Sequence, residues 1–190
     1  MPENPKVLLP DAKDVKAVDI GACLLEQRIL YFSHEVNARS VNAAVQQILY
    51  LQDKDPAAPI RFYLNSPGGS VIDGMALYDV IQRSSCPVHC TVTGMAASMG
   101  AVILSGCEKG ERAIMPHGEV LLHQPLGGAE GPATEIEISA QRIIKTKEML
   151  LALLAENCGQ PYEKLAEDCD RDYWLDAEDA LAYGIVDKII

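Results

Sequence analysis

The amino-acid sequence predicts an α/β fold built from repeated strand–helix crossovers, on three observations. Short apolar runs alternate with longer segments of helical periodicity along the chain, the pattern of βα units rather than of separate strand and helix blocks. Glycine, proline and small polar residues mark the changes of period. The 190 residues suffice for one domain with a sizeable core and are too few to need two. With 48% hydrophobic but only 5% aromatic residues, small and aliphatic side chains do most of the packing.

Taken in order, residues 1–18 are rich in Pro, Asp and Lys without clear periodicity and read as a poorly anchored terminal segment. Ser40 reads as the N-cap of a helix reaching about Gln52, with Val41, Ala44, Val45, Ile48 and Leu51 on one face. After Pro59 a strand over 60–64 ends in the turn Asn65-Ser66-Pro67-Gly68-Gly69-Ser70, and a helix carrying Ile72, Met75, Tyr78 and Ile81 follows. A strand over 88–93 leads through a small-residue turn into the helix-compatible segment 101–104. Short strands near 112–115 and 119–123 come next, then a strand-like loop bracketed by Gly127-Gly128 and Gly131-Pro132. Residues 134–157 carry helical periodicity at Ile138, Ile143 or Ile144, Met149 and Leu153, and stop at Gly159. Pro161 and Gly184 bracket two short helices, Gly184 as a C-cap.

Composition excludes several function classes. A net charge of −11 leaves no basic stripe for nucleic acid and no polybasic patch for anionic lipid. No run approaches the roughly 20 apolar residues of a membrane span, and the start lacks a charged-then-apolar signal pattern, so a cytoplasmic protein is expected. The six cysteines (Cys23, Cys86, Cys90, Cys107, Cys158, Cys169) form no C-x-x-C pair and no zinc-ligand spacing; they read as reduced core thiols. Neither a metal nor a cofactor is expected.

Four motifs carry chemistry. In Gly94-Met95-Ala96-Ala97-Ser98-Met99-Gly100 one hydroxyl stands among residues too small to shield it, between a strand and a helix start where free amides favour an anion. That setting suits a nucleophile, although a helix-start serine packed among alanines has the same pattern. The two glycines after Pro67 let backbone amides approach a substrate carbonyl, or simply form a tight turn capped by Ser70. No P-loop lysine and no Gly-x-Gly-x-x-Gly accompany them, so phosphate is a poor fit. His123, ending the run from Glu119, can serve as a general base; His34, His89 and His117 lack a comparable context. Asp168, Asp170 and Asp172 could each orient that histidine, and residue type alone does not choose among them.

Together these segments resemble the proteolytic subunit of Clp protease, the ClpP family. The matching stretches are 65–70, 94–100, His123-Gln124-Pro125-Leu126-Gly127-Gly128, 133–138 and Asp170-Arg171-Asp172, in one register from about residue 20 to the C-terminus. The resemblance implies a ClpP/crotonase-like fold with a protruding helix–strand handle at about 124–158, in a single domain over 20–190 preceded by a divergent segment, 1–19. It implies a serine endopeptidase with nucleophile Ser98, general base His123 and orienting carboxylate Asp172. The oxyanion-hole amides would be those of Gly69 and Met99, and Asp170 and Arg171 would form the ring-to-ring contact. Residues Gln124, Pro125, Leu126, Gly127 and Gly128 would receive the peptide substrate as an added strand. The implied assembly is a homo-oligomer of two stacked heptameric rings, or a barrel mixed with a paralogue. Its partner would be an AAA+ unfoldase of the Clp type, because the chain has no nucleotide-binding motif of its own.

Departures from the family pattern set further expectations. In the implied unfoldase-docking cleft Tyr63 matches, but Arg83 and Ala113 stand where aromatic residues are usual, which predicts weakened docking. Pro132 removes a backbone donor beside the peptide-binding strand and Glu130 adds a charge, which predicts a shifted preference or reduced activity. Two other readings compete with an active peptidase: a weakly active or regulatory subunit of a mixed barrel, and a crotonase-type acyl-CoA enzyme.

Overall fold

Parallel strands need crossovers, and the sequence supplies a helix-period segment after each of its main strands. The computed structural model describes residues 6–11 and 14–190. In chain order the elements are β1 (Lys6–Asp11), β2 (Asp14–Asp19), α1 (Ile20–Glu26), β3 (Ile29–Phe32), α2 (Ala38–Lys54), β4 (Ile60–Ser66), α3 (Val71–Arg83) and β5 (Val88–Ala97). They continue with α4 (Met99–Ser105), β6 (Arg112–Ile114), β7 (Glu119–Leu122), α5 (Ala133–Cys158), α6 (Tyr162–Asp168), β8 (Tyr173–Leu175), α7 (Ala177–Tyr183) and β9 (Lys188–Ile189).

Strands β3, β4, β5, β6 and β9 lie in that order, all parallel. This bears out the α/β class. The 10-residue β5 is longer than expected, and one of its edges serves two partners. Its first half pairs β6 (Cys90↔Arg112) and its second half pairs β7 (Met95↔Glu119, Ala97↔Leu121). β7 then takes β8 antiparallel, with Leu122 opposite Tyr173.

Alternate residues Ile60, Phe62 and Leu64 of β4 and Val88, Cys90 and Val92 of β5 share one core with Leu77 and Ile81 of α3 and Ile103 and Leu104 of α4. On the other face of the sheet Tyr31, Tyr63, Thr91, Ala113 and Lys188 form one cross-strand row. All six cysteines are free and five are buried; burial pushes the Cys158 thiol up to about 12 and that of Cys169 to about 11, so both stay protonated at neutral pH.

Several expectations need correction. Residues 6–11 and 14–19, within the segment read as poorly anchored, pair in an antiparallel ladder from Lys6↔Asp19 to Asp11↔Asp14, which a Pro- and charge-rich composition conceals. Helix α2 begins at Asn37, whose side chain accepts from the amides of Arg39 and Ser40; Ser40 is the reciprocal member of a capping box, not the cap. On α3 the buried stripe is Gly74, Leu77, Tyr78 and Ile81, leaving Ile72 exposed. Residues 124–130 form no strand within the protomer. The deepest difference is in α5. Its buried residues are Leu150, Leu151, Leu154, Ala155 and Cys158, all in the last third, while Ile138 and Ile144 are exposed. Glycines 159 and 184 do end α5 and α7, at φ 69° and 85°.

Candidate active site

The sheet register assembles the site. Because Ala97 pairs with Leu121, and the Ser98 amide donates to the Leu121 carbonyl at 2.8 Å, Ser98 and His123 leave the carboxyl ends of adjacent parallel strands. Carboxyl ends of parallel strands are where α/β proteins place their ligands. The antiparallel ladder Leu121↔Trp174, Leu122↔Tyr173, extended by one residue, sets Asp172 opposite His123. Ser98 and His123 thus line one cleft at this corner of the sheet, and Asp172 lies just before β8, the strand paired with β7.

Ser98 sits at φ 54° and ψ −118°, one of two non-glycine residues with positive φ among the described residues, where β5 turns into α4. Its side chain makes no capping hydrogen bond, so the hydroxyl is spared for another use. Gly68 packs against this turn: a Cβ on it would lie 2.6 Å from the Ala97 carbonyl oxygen and 2.7 Å from the Ser98 Cβ, at φ +88°. Gly69, at φ +143°, abuts the Val36 backbone, and the chain is pinned there by two bonds, Val36 N–H to the Gly68 carbonyl (2.7 Å) and Ser70 N–H to the Val36 carbonyl (2.8 Å). Ser66 Oγ anchors the same turn by donating to the His34 carbonyl at 2.6 Å. Among the described residues neither the Gly69 nor the Met99 amide donates to an acceptor. Two free donors therefore stand beside Ser98. Val36 supports the turn from a position that no sequence pattern singled out, and Ser66 anchors it from within the motif.

His123 and Ser98 line one narrow cleft with Val71, Met99, Val102 and Leu150, a space of about 20 Å³. That holds about one water molecule. His123 Nδ1 lies 2.7 Å from the Gln124 carbonyl oxygen. A carbonyl only accepts, so Nδ1 carries a proton, and in the neutral ring Nε2 then holds the lone pair that a general base requires. Asp172 is exposed, and no hydrogen bond or ion pair joins it to His123 among the described residues.

The other acidic residues separate cleanly. Asp168 is occupied by Lys164 Nζ and the Tyr183 hydroxyl, both at 2.7 Å, which gives it a structural role. Asp170 lies 3.8 Å from the almost fully exposed Arg171 guanidinium. Gln124 donates to the Asp170 carbonyl at 2.9 Å, and Pro125, Leu126, Gly127 and Gly128 continue away from it on the surface side of the cleft. Tyr63 and Ala113 share the cross-strand row, whereas Arg83 is exposed in the last turn of α3, which packs on α2 and α4. Ala113 is buried in the protomer, so of the three expected cleft residues only Tyr63 and Arg83 reach the surface.

A larger cavity of about 430 Å³ lies among the ends of α3, α4 and α5, away from Ser98. The polar groups buried there are already satisfied: Asn157 donates to Tyr78 and Ser105, and Arg112 to Asp187, Asn157 and Gly184. Among the described residues no cluster of His, Cys, Asp or Glu is arranged to hold a metal, and no helix is long and apolar enough to cross a membrane.

Parallel sheet, helical layer and a serine at a strained strand-to-helix turn define the ClpP-type peptidase class. The family model for Clp protease matches residues 12–190, and the chain belongs to that family. The match begins eight residues before the resemblance read from the sequence motifs alone.

Proposed function

We propose that this ClpP-type peptidase is a serine endopeptidase acting through Ser98, His123 and Asp172. The observation that carries the reading is the convergence of a strained, uncapped Ser98 with two unused amides, Gly69 and Met99, and a histidine in the required tautomer. Ser98 Oγ attacks the peptide carbonyl while His123 Nε2 takes its proton, and the oxyanion accepts from the two amides. His123 returns the proton to the leaving amine, and water then hydrolyses the acyl-enzyme by the same path. Asp172 stabilises the imidazolium when it closes the short step across the ladder.

The apolar lining of the Ser98 cleft (Val71, Met99, Val102, Leu150) favours an apolar side chain before the scissile bond. Residues 124–128 lack a strand partner in the protomer and offer an edge to an extended peptide. The exposed apolar stretch of α5 and the uncovered row on the sheet suit assembly into stacked rings, with an AAA+ unfoldase delivering unfolded chains. A second reading, a weakly active subunit of a mixed barrel, is favoured by the absence of an Asp172–His123 contact. Labelling with a serine-reactive phosphonate, read by intact mass, tests the proposal: one adduct on Ser98, absent in Ser98→Ala, is expected. Absence of any adduct in the chain alone and with a paralogue would overturn it.

A further inference from the structure

Two recesses lie side by side along residues 124–128. One is the cleft of Ser98; the other is a groove of about 340 Å³ that shares Val71 and Pro125 with it. Ile72, Leu126 and Ile143 wall the groove, and Ile72 and Leu126 are 71% and 87% exposed. Its one ionisable lining residue is Arg142, on the part of α5 that precedes the core contacts of that helix. Both hydroxyls of the lining are already engaged: Ser70 Oγ accepts from the Asp73 amide (3.3 Å) and Thr146 Oγ1 donates to the Arg142 carbonyl (3.0 Å). Arg142 forms no ion pair among the described residues. Lys147, the cation of the Ser98 cleft, is occupied by the Gln124 side-chain oxygen at 2.9 Å. Asp73 and Glu130, acidic residues close by in the chain, do not line the groove.

We propose that Arg142 is a specificity-determining residue, selecting an acidic side chain of the peptide substrate at a position close to the scissile bond. This rests on the peptidase reading, in which residues 124–128 take the peptide as an added strand. A guanidinium at the edge of an apolar recess pairs with a carboxylate through two parallel N–H···O bonds, while the walls cover the methylenes that carry it. Elsewhere a chain of net charge −11 repels acidic peptides, so one uncompensated cation beside the cleft gives a sharp local contrast. Side chains two apart on an extended peptide share a face. One can therefore fill the apolar Ser98 cleft while the next on that face passes Pro125 and enters the Arg142 groove.

Internally quenched peptides carrying a single Glu, Gln or Lys, scanned through the positions around one fixed apolar residue, test this with wild type, Arg142→Gln and Arg142→Glu. The readout is the ratio of kcat/KM for Glu over Gln within each protein, which cancels any general loss of activity. Wild type should favour Glu about fivefold at a single position, the size expected of an ion pair open to solvent on one side. Arg142→Gln should bring that ratio to about one, and Arg142→Glu should turn the preference toward Lys. A ratio of one at every position in the wild type would overturn the proposal. So would a Glu preference that survives Arg142→Gln, as it would if Lys147 supplied the charge. Should the wild type hydrolyse no peptide, fluorescence anisotropy of the labelled peptides decides. Glu is then expected to bind about fivefold more tightly than Gln to Ser98→Ala and equally to Ser98→Ala/Arg142→Gln. Equal or absent binding to Ser98→Ala overturns the Arg142 groove, whereas the missing turnover by itself counts against the peptidase reading.

Discussion

Ser98 combines a reactive group with an unfavourable backbone. A non-glycine residue at φ 54° and ψ −118° costs about 1–3 kcal/mol, held in place by the β5–β7 ladder on one side and Gly68 on the other. Ser98→Gly should therefore raise stability by about 1 kcal/mol in urea unfolding while removing all phosphonate labelling, whereas Ser98→Ala removes labelling without the gain. Gly68→Ala would force a Cβ against the Ser98 turn and should abolish turnover. The serine and histidine were legible from residue type and from the small neighbours that leave the hydroxyl bare. A choice among Asp168, Asp170 and Asp172 was not, because three acidic residues at every second position look alike; the structure occupies Asp168 with Lys164 and Tyr183 and leaves the other two exposed. Far from the site, Arg112 is almost completely buried and bonds Asp187 through two nitrogens, one at 2.6 Å. Arg112→Met should cost about 3–5 kcal/mol by leaving a carboxylate without its cation. Burial by itself would raise the Asp187 pKa, but the hydrogen bonds and charge of Arg112 outweigh it and hold the group below its ordinary value. A depressed folded pKa stabilises the fold above the unfolded value, near 4, and this contribution is lost as pH falls through the folded one. The Arg112→Met variant should accordingly lose less stability between pH 5 and pH 2, about, than the wild type does, as read by urea midpoints.

At the scale of elements, period was readable but burial was not. α5 was plainly helical from its spacing and its terminal glycine, yet the apolar face inferred from Ile138, Ile144 and Met149 is exposed in the protomer. A periodic pattern reports that a face is apolar without saying whether the same chain covers it. The pattern thus indicated a contact rather than a core. Ile138→Lys combined with Ile144→Lys should leave the circular dichroism spectrum unchanged and halve the particle mass in native mass spectrometry, as stacked rings part. A mass equal to that of wild type would remove α5 from the ring contact. The boundaries missed by a few residues have local causes. Strands β4 and β5 run on because their last residues gain partners across the ladder, and α2 starts at Asn37 because an asparagine and a serine three apart cap each other. Asn37→Ala should cost about 1 kcal/mol of stability by leaving two first-turn amides without an acceptor.

For the whole molecule, the row Tyr31, Tyr63, Thr91, Ala113 and Lys188 is the telling surface. Parallel sheets are ordinarily covered on both faces, yet Tyr31 is 56% exposed here and Tyr63 and Thr91 are half-buried. We propose that this face meets a partner. Arg83→Phe should tighten binding of a Clp-type unfoldase about tenfold in a titration, since one large apolar side chain buried there contributes about 1.5–3 kcal/mol. Affinity equal to that of the wild type would remove Arg83 from the docking surface. The α/β class and the family were thus visible in one chain's sequence, whereas an apolar residue on an uncovered sheet face reads there like one in the core. The core contacts of α5 fall in its last third, which gives the protein a lever arm. The portion before the first buried residue, 133–149, extends roughly 25 Å, so a tilt of about 10° at the root carries the tip through roughly 4 Å. A contact made at that distant tip would return to the root as a small rotation, and Leu150 at the root lines the cleft of Ser98.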